Sequence, residues 1–386
     1  MFLFFANIIA LLFSFFVVGT MLGALFSKPF RDKLTELVLA RRLALARSLH
    51  NPIITPGATP WSAEAVLNPA ALSLGGRTHL LYRAIGGDGV SRLGYASSGN
   101  GYVFDDRPPY PVYVAANPHA APDRLRRYSP LLYPSGGSWG GCEDPRMVAI
   151  DGRVYVTYNA FDGWDFIRVA FVSIHEDDFR AKRFWKWSNA KLLSRAGTLN
   201  KNWALFPEKI GGKFALLHNL HAEGPDRVRI EYVDDLYTYD PERSALESPD
   251  PNAMAPRRIA WHYRMRGVGP PPLRTDRGWL VFYHATSEGE GHRYKLGAML
   301  LDPDDPTRVL RRAAAPVLSP DTPYENHGKP GIIYACGAVI RDGTVFVYYG
   351  GADKVVCVAT APLAPFLDAL EEGEPSPLTS RSARVA

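Results

Sequence analysis

Five stretches of this chain are versions of one strand, which restricts it to the few all-β architectures built by repetition. They are Arg77-Thr-His-Leu-Leu-Tyr-Arg83, Arg153-Val-Tyr-Val-Thr-Tyr-Asn159, Lys213-Phe-Ala-Leu-Leu-His218, Gly278-Trp-Leu-Val-Phe-Tyr-His284 and Thr344-Val-Phe-Val-Tyr-Tyr-Gly350. Four follow directly on a glycine turn (Gly75-Gly76, Gly152, Gly211-Gly212, Gly343), and in the fourth repeat Gly278 itself plays that part. The spacing is roughly 60 to 75 residues, slightly longer than a usual propeller blade. Each repeat is apolar on both faces, as a strand buried on both sides must be. Similar strands lie nearby, such as Leu93-Gly94-Tyr95-Ala96 and 166–172. The expected fold is all-β, a five-bladed β-propeller whose repeats end on one central funnel; a β-sandwich with chance similarity is the alternative. No strand-helix alternation of a doubly wound fold follows residue 50.

The 34 Gly and 32 Pro residues favour short strands and tight turns over long helices. A net charge of +5, scattered along the chain, gives no argument for a nucleic-acid partner. Cys142, Cys336 and Cys357 are far apart, which excludes a disulfide framework and a cysteine-rich zinc site and agrees with a reducing compartment.

Phe2 to Phe26 carries no charge and is long enough to span a bilayer. A signal peptide is the alternative, but no basic residue precedes the apolar run and no small-residue cleavage site follows it. Lys28, Arg31, Lys33, Arg41, Arg42 and Arg47 come after it, so the positive-inside rule keeps that flank in the cytoplasm. The expected organisation is a transmembrane anchor (1–27), a helical juxtamembrane stalk (28–50), a catalytic propeller (51–375) facing the cytoplasm, and a disordered tail (376–386). Its partners are then a membrane, through the first helix, and a small-molecule substrate; oligomeric state is not legible.

The chemistry centres on Gly141-Cys142-Glu143-Asp144-Pro145-Arg146-Met147. Pro145 disfavours a helical Asp144, so the two carboxylates are expected on extended or turn backbone. Arg146 can pair with a carboxylate or hold an anion. A surface turn with a local ion pair is the plainer reading. Against it, the repeats end on Arg83, Asn159, His218 and His284, and the fifth runs on to Asp353. Singly, these histidines are equally well core residues; together the five imply a shared polar site. Asn68, the Asn200-Lys201-Asn202 step and Arg264-Met265-Arg266 are further candidates, with Trp61, Trp139 and Trp203 near in sequence. That set suits a neutral polyol such as a sugar together with an anion. Dinucleotide, P-loop and HExxH motifs are absent from the sequence.

These pieces resemble glycoside hydrolase family 130, which includes β-mannoside phosphorylases and some β-mannosidases. The resemblance rests on Asn68-Pro69-Ala70, Leu81-Tyr82-Arg83-Ala84, Leu93-Gly94-Tyr95-Ala96, Gly141 to Arg146, Ala204 to Lys209, Gly269-Pro-Pro-Pro272, Tyr283-His284, Tyr294 to Ala298, Cys336-Gly337 and Tyr348 to Asp353, in order over 51 to about 365. It implies an inverting attack on a β-mannoside by inorganic phosphate as co-substrate, without a cofactor or metal. Asp144 matches the family's acid, understood to act through the mannose 3-hydroxyl. The implied substrate-binding residues are Asn68, Arg83, Glu143, Asn202 and Asp353. For phosphate they are Arg83, Lys201, Arg264, Arg266, His284 and Tyr294, with Arg146 orienting Asp144. Met265 stands where many phosphorylases carry a phosphate-binding lysine, so either flanking arginine is expected to replace it. The alternatives are a β-mannoside hydrolase, for which Glu208 or Glu231 would have to serve as base, and a non-catalytic glycan-binding propeller.

Overall fold

The structure, a computed structural model, describes residues 38, 40–115, 126–163, 166–197, 200–219, 228–243, 261, 264–287 and 289–372. Its strands form five successive antiparallel meanders, each with one repeat strand in the middle. The first comprises β2 (Ala65–Leu74), β3 (Arg77–Ile85) and β4 (Val90–Ser98), after a short β1 (Ala46–Arg47). The second has β5 (Gly140–Ile150), β6 (Arg153–Asp162), β7 (Ile167–His175) and β8 (Lys191–Leu192). The third has β9 (Ala204–Leu205), β10 (Phe214–Asn219) and β11 (Arg229–Val233). In the fourth, β12 (Arg264–Val268) and β13 (Leu273–Thr275) pair with β14 (Gly278–Thr286), followed by β15 (Lys295–Leu301) and β16 (Val309–Arg312). The fifth has β17 (Ile333–Arg341), β18 (Thr344–Gly351) and β19 (Val355–Pro362), and a helix, Leu363–Glu372, follows.

The glycine turns are two-residue hairpin loops. Gly75-Gly76 (φ 57° and 73°), Asp151-Gly152 (49° and 74°), Gly211-Gly212 (58° and 79°) and Asp342-Gly343 (48° and 70°) have positive φ at both positions. That is the geometry whose twist matches the flanking strands.

The continuous apolar pattern of the repeats has a direct cause. Successive residues of a strand face opposite sides, and each side meets a different core. On β14, Trp279, Val281 and Tyr283 pack with Phe206, Ala215 and Leu217 of the third meander. Leu280 and Phe282 pack with Val345, Val347 and Tyr349 of the fifth. Phe346 and Tyr348 turn the other way, onto Leu80 and Tyr82 of the first. Two further cores join the first meander to the second, around Leu81, Tyr95 and Val156, and the second to the third, around Tyr155, Phe171 and Leu216. Packing therefore returns from the last meander to the first.

The expected five-bladed propeller behind a transmembrane helix needs correction. The described strands form four open sheets of four, three, five and seven strands. The seven-stranded one arises because β4 and β5 pair in parallel at Val90–Gly140 and Ser91–Gly141, fusing two meanders. Among the described residues no helix is long and apolar enough to cross a membrane, and the expected span lies outside them. The expected anchoring to a membrane, with the catalytic part facing the cytoplasm, is corrected on the same finding. The helical stalk also stops short of residue 50: Ala46 and Arg47 instead pair with Thr360 and Ala359 of β19. Arg47 is clamped by the fully buried Glu325, at 2.8 Å, so this basic residue belongs to the fold. The expected tail, 376–386, lies outside the described residues.

Candidate active site

The first strands of four meanders break register at one point each. The shifts fall between Leu67 and Ala70, Glu143 and Arg146, Met265 and Gly267, and Ala335 and Gly337. Such bulges re-aim a side chain out of the pleat. They carry Asn68, Asp144, Arg266 and Cys336, and the third meander offers Asn202 just before β9. Asn68 (φ 48°), Asp144 (51°) and Asn202 (66°) have left-handed backbone, which Asn and Asp tolerate best among side-chain-bearing residues. Asp144 thus lies inside β5 but outside ordinary strand geometry, where extended or turn backbone was expected.

Arg83, 1% exposed, organises the charge. Its Nη1 donates to Asp144 Oδ1 at 3.2 Å, its Nη2 to Glu143 Oε1 and Ser138 Oγ at 2.7 Å, and its Nε to Ser91 Oγ at 2.8 Å. Nη2 also reaches the Ser135 carbonyl at 2.7 Å. Glu143 is fully buried, and its other oxygen accepts from Lys201 Nζ and from the Ser135 hydroxyl, both at 3.0 Å. Asn68 Nδ2 donates to Asp144 Oδ1 at 2.7 Å. Burial would push the Asp144 carboxyl up, but Arg83, then Lys201 and the Asn68 bond, hold it below its ordinary value. Asp353 (φ 52°) goes the other way: burial, helped by Asp144, raises it against Lys329, 3.4 Å away, and Arg83. Two carboxylates beside one guanidinium are therefore poised differently.

Arg146 does not touch the Asp144 carboxylate. Its Nη1 donates to the Asp144 carbonyl at 2.9 Å, while Nε and Nη2 hold the Gly269 and Val268 carbonyls at 2.8 Å. It fixes the bulge to the end of β12. Asn202 is locked to Asn159, its N–H donating to Asn159 Oδ1 at 2.8 Å. Arg266, half-buried, donates from Nε and Nη2 to the Tyr294 hydroxyl at 2.8 and 2.6 Å. No carboxylate pairs with Arg266 among the described residues.

Some expected residues are placed differently. His284 is fully buried; its Nε2 accepts from the Ala335 N–H at 2.9 Å, and burial, then Arg146, push its pKa down to about 3. It is a neutral core imidazole and presents no cation. Arg264 opens β12 opposite Thr286, and its side chain lies outside the described residues. Trp139 and Trp203 are buried, so neither offers a face to a sugar. Glu208 is exposed, and Glu231 accepts from Tyr239 on the side of β11, so neither joins Asp144. Ser135, Ser138 and Tyr334 are additions. The serines sit in the glycine-rich approach to the acid pair, which was the available signal. Tyr334 stacks on His284 with centroids 4.0 Å apart, and nothing in its strand marks it out.

The family model described as beta-1,4-mannooligosaccharide phosphorylase matches residues 44–372. A 1,2-beta-oligomannan phosphorylase of Thermoanaerobacter sp. (strain X514) is 35% identical over 82% of this chain and 97% of its own length. A beta-1,2-mannobiose phosphorylase of the same strain is 32% identical over 82% of this chain and 96% of its own. Among solved structures, the beta-1,2-mannobiose phosphorylase from Listeria innocua has the same fold, with a TM-score of 0.62 and 24% identity over 85% of this chain and 99% of that one.

Proposed function

The chain belongs to glycoside hydrolase family 130 and is a β-mannoside phosphorylase, and from this we propose that Asp144 is its general acid and β-1,2-linked mannosides its substrates. The observation that carries the role of Asp144 is its seat: a carboxylate on a left-handed bulge, fixed by Asn68 and Arg83 through one oxygen. A phosphate oxygen attacks the anomeric carbon from the face opposite the leaving group. The glycosidic C–O bond breaks, and the leaving oxygen takes the Asp144 proton by way of the sugar's 3-hydroxyl. The product is mannose 1-phosphate of inverted configuration.

The resting site holds Asp144 ionised, whereas an acid must carry a proton. Bound phosphate supplies the change, because added negative charge nearby raises a carboxyl pKa. Phosphate is proposed to sit on Arg266 and Tyr294. Arg83 and Lys201 are already paired with the two carboxylates Glu143 and Asp144, so they serve the sugar side. The β-1,2 preference follows the two Thermoanaerobacter relatives, and the family description supplies β-1,4 as the competing linkage. The test is mannose 1-phosphate release from β-1,2- and β-1,4-mannobiose with and without phosphate. Phosphate-dependent release, faster on the β-1,2 substrate and lost by at least about 100-fold in Asp144→Asn, is expected. Equal sugar release without phosphate sinks the reading.

A further inference from the structure

Arg266, Tyr294 and Tyr334 form a row of neighbouring side chains. Arg266 binds the Tyr294 hydroxyl, and the Tyr294 and Tyr334 rings lie 6.1 Å apart. The Tyr334 ring lies flat on His284, with planes 10° apart, and the adjacent Ala335 N–H is bonded to the same imidazole. His284 thereby fixes both the ring and the backbone of Tyr334. Yet the Tyr334 hydroxyl meets no hydrogen-bond partner among the described residues. The residue is half-buried between fully buried neighbours. Burial, and to a lesser degree Asp144, push its phenol well above the ordinary value, with Arg146 opposing. It is a protonated donor whose ring is held by stacking on His284, and its hydroxyl makes no hydrogen bond among the described residues that a phenylalanine would lack.

We infer that Tyr334 is a phosphate-binding residue, whose O–H donates to an oxygen of the attacking phosphate and holds it between Arg266 and the anomeric carbon. This rests on the phosphorylase reading. An unpaired donor that neighbours Tyr294, the partner of the uncompensated arginine, and feels the charge of the acid is suited to an anion held by that arginine, and a hydrogen bond to a charged group is among the stronger ones.

The variant Tyr334→Phe keeps the ring and its stacking. Its phosphate KM is expected to rise about tenfold or more, as loss of one hydrogen bond to an anion does. Its KM for the β-mannoside should change less than about twofold, and the KM for mannose 1-phosphate in the synthetic direction should rise in parallel. Thermal melting checks that the fold is kept. An unchanged phosphate KM overturns the inference, as does a rise confined to the mannoside KM, which would move Tyr334 to the sugar. Calorimetric titration of the wild-type protein with inorganic phosphate separates the two layers. If it neither binds phosphate nor uses it, the phosphorylase reading fails as well; if it does both and Tyr334→Phe is indistinguishable, only the role of Tyr334 fails.

Discussion

Asn68 and Asp144 are counterparts in successive meanders: each precedes a proline, each has a positive φ, and the amide of one bonds the carboxylate of the other at 2.7 Å. The same irregularity, used twice, places donor and acceptor face to face. Gly350 backs this contact, since a Cβ there would lie 2.2 Å from Asn68 Oδ1. The variant Gly350→Ala is expected to push Asn68 off Asp144 and to lower kcat about 10- to 100-fold, because small displacements of positioning groups are costly. Steady-state kinetics beside a melting curve checks this. An unchanged kcat with an intact fold would mean that Asn68 does not position the acid.

Arg83 bridges Asp144 and the fully buried Glu143, at 3.2 and 2.7 Å. Removing it as Arg83→Ala leaves Glu143 and Asp144 to share Lys201, so one buried negative charge loses its counterion, and a loss of about 3–5 kcal/mol in folding stability is expected from denaturant titration. A change below about 1 kcal/mol would show that Glu143 takes up a proton or finds water instead.

His284 gives the protein an acid-sensitive core. Its folded pKa is pushed down to about 3, below the unfolded value, so the unfolded chain binds the extra proton. The stability this provides is present above the unfolded pKa of about 6.5 and is lost as pH falls toward 3, by up to about 1.4 kcal/mol per unit. In His284→Gln, whose amide oxygen can still accept from Ala335, the fall in melting temperature between pH 6.5 and 4 should be shallower. Parallel curves for the two proteins would remove His284 from the account.

Arg266 is the cation of the site that no carboxylate offsets among the described residues. With Arg266→Ala the phosphate KM should rise at least about tenfold, while the mannoside KM stays near its wild-type value. Initial rates over a grid of both substrates measure the split. An equal rise in both would place Arg266 on general site architecture.

Much of this was legible because the repeats obey local rules. Positive-φ glycine pairs mark hairpins, and an apolar face on both sides of each repeat marks burial between two cores. The acid pair and Arg83 were legible from their residue types and neighbours. The bulges were not. Leu67-Asn68-Pro69 and Glu143-Asp144-Pro145 look alike in sequence, but a residue before proline is ordinarily extended, so the left-handed turn and the Asn68–Asp144 bond could not be read. His284 ends a repeat as a working residue would, and only the packed strand beside it shows that it is neutral. Tyr334 is one of 19 tyrosines and carries no mark except its position. Fusion of two meanders by β4 and β5 depends on two residue pairs, too few for any periodicity.

The register slips in the opening strands have a consequence for how such an enzyme can change. Asn68, Asp144, Arg266 and Cys336, one to a wall of the proposed site, each hang on their own kink in the opening strand of a different meander. Lengthening or straightening one kink would reshape a single wall and leave the scaffold standing, so new sugar linkages could be reached in small, separately tolerated steps.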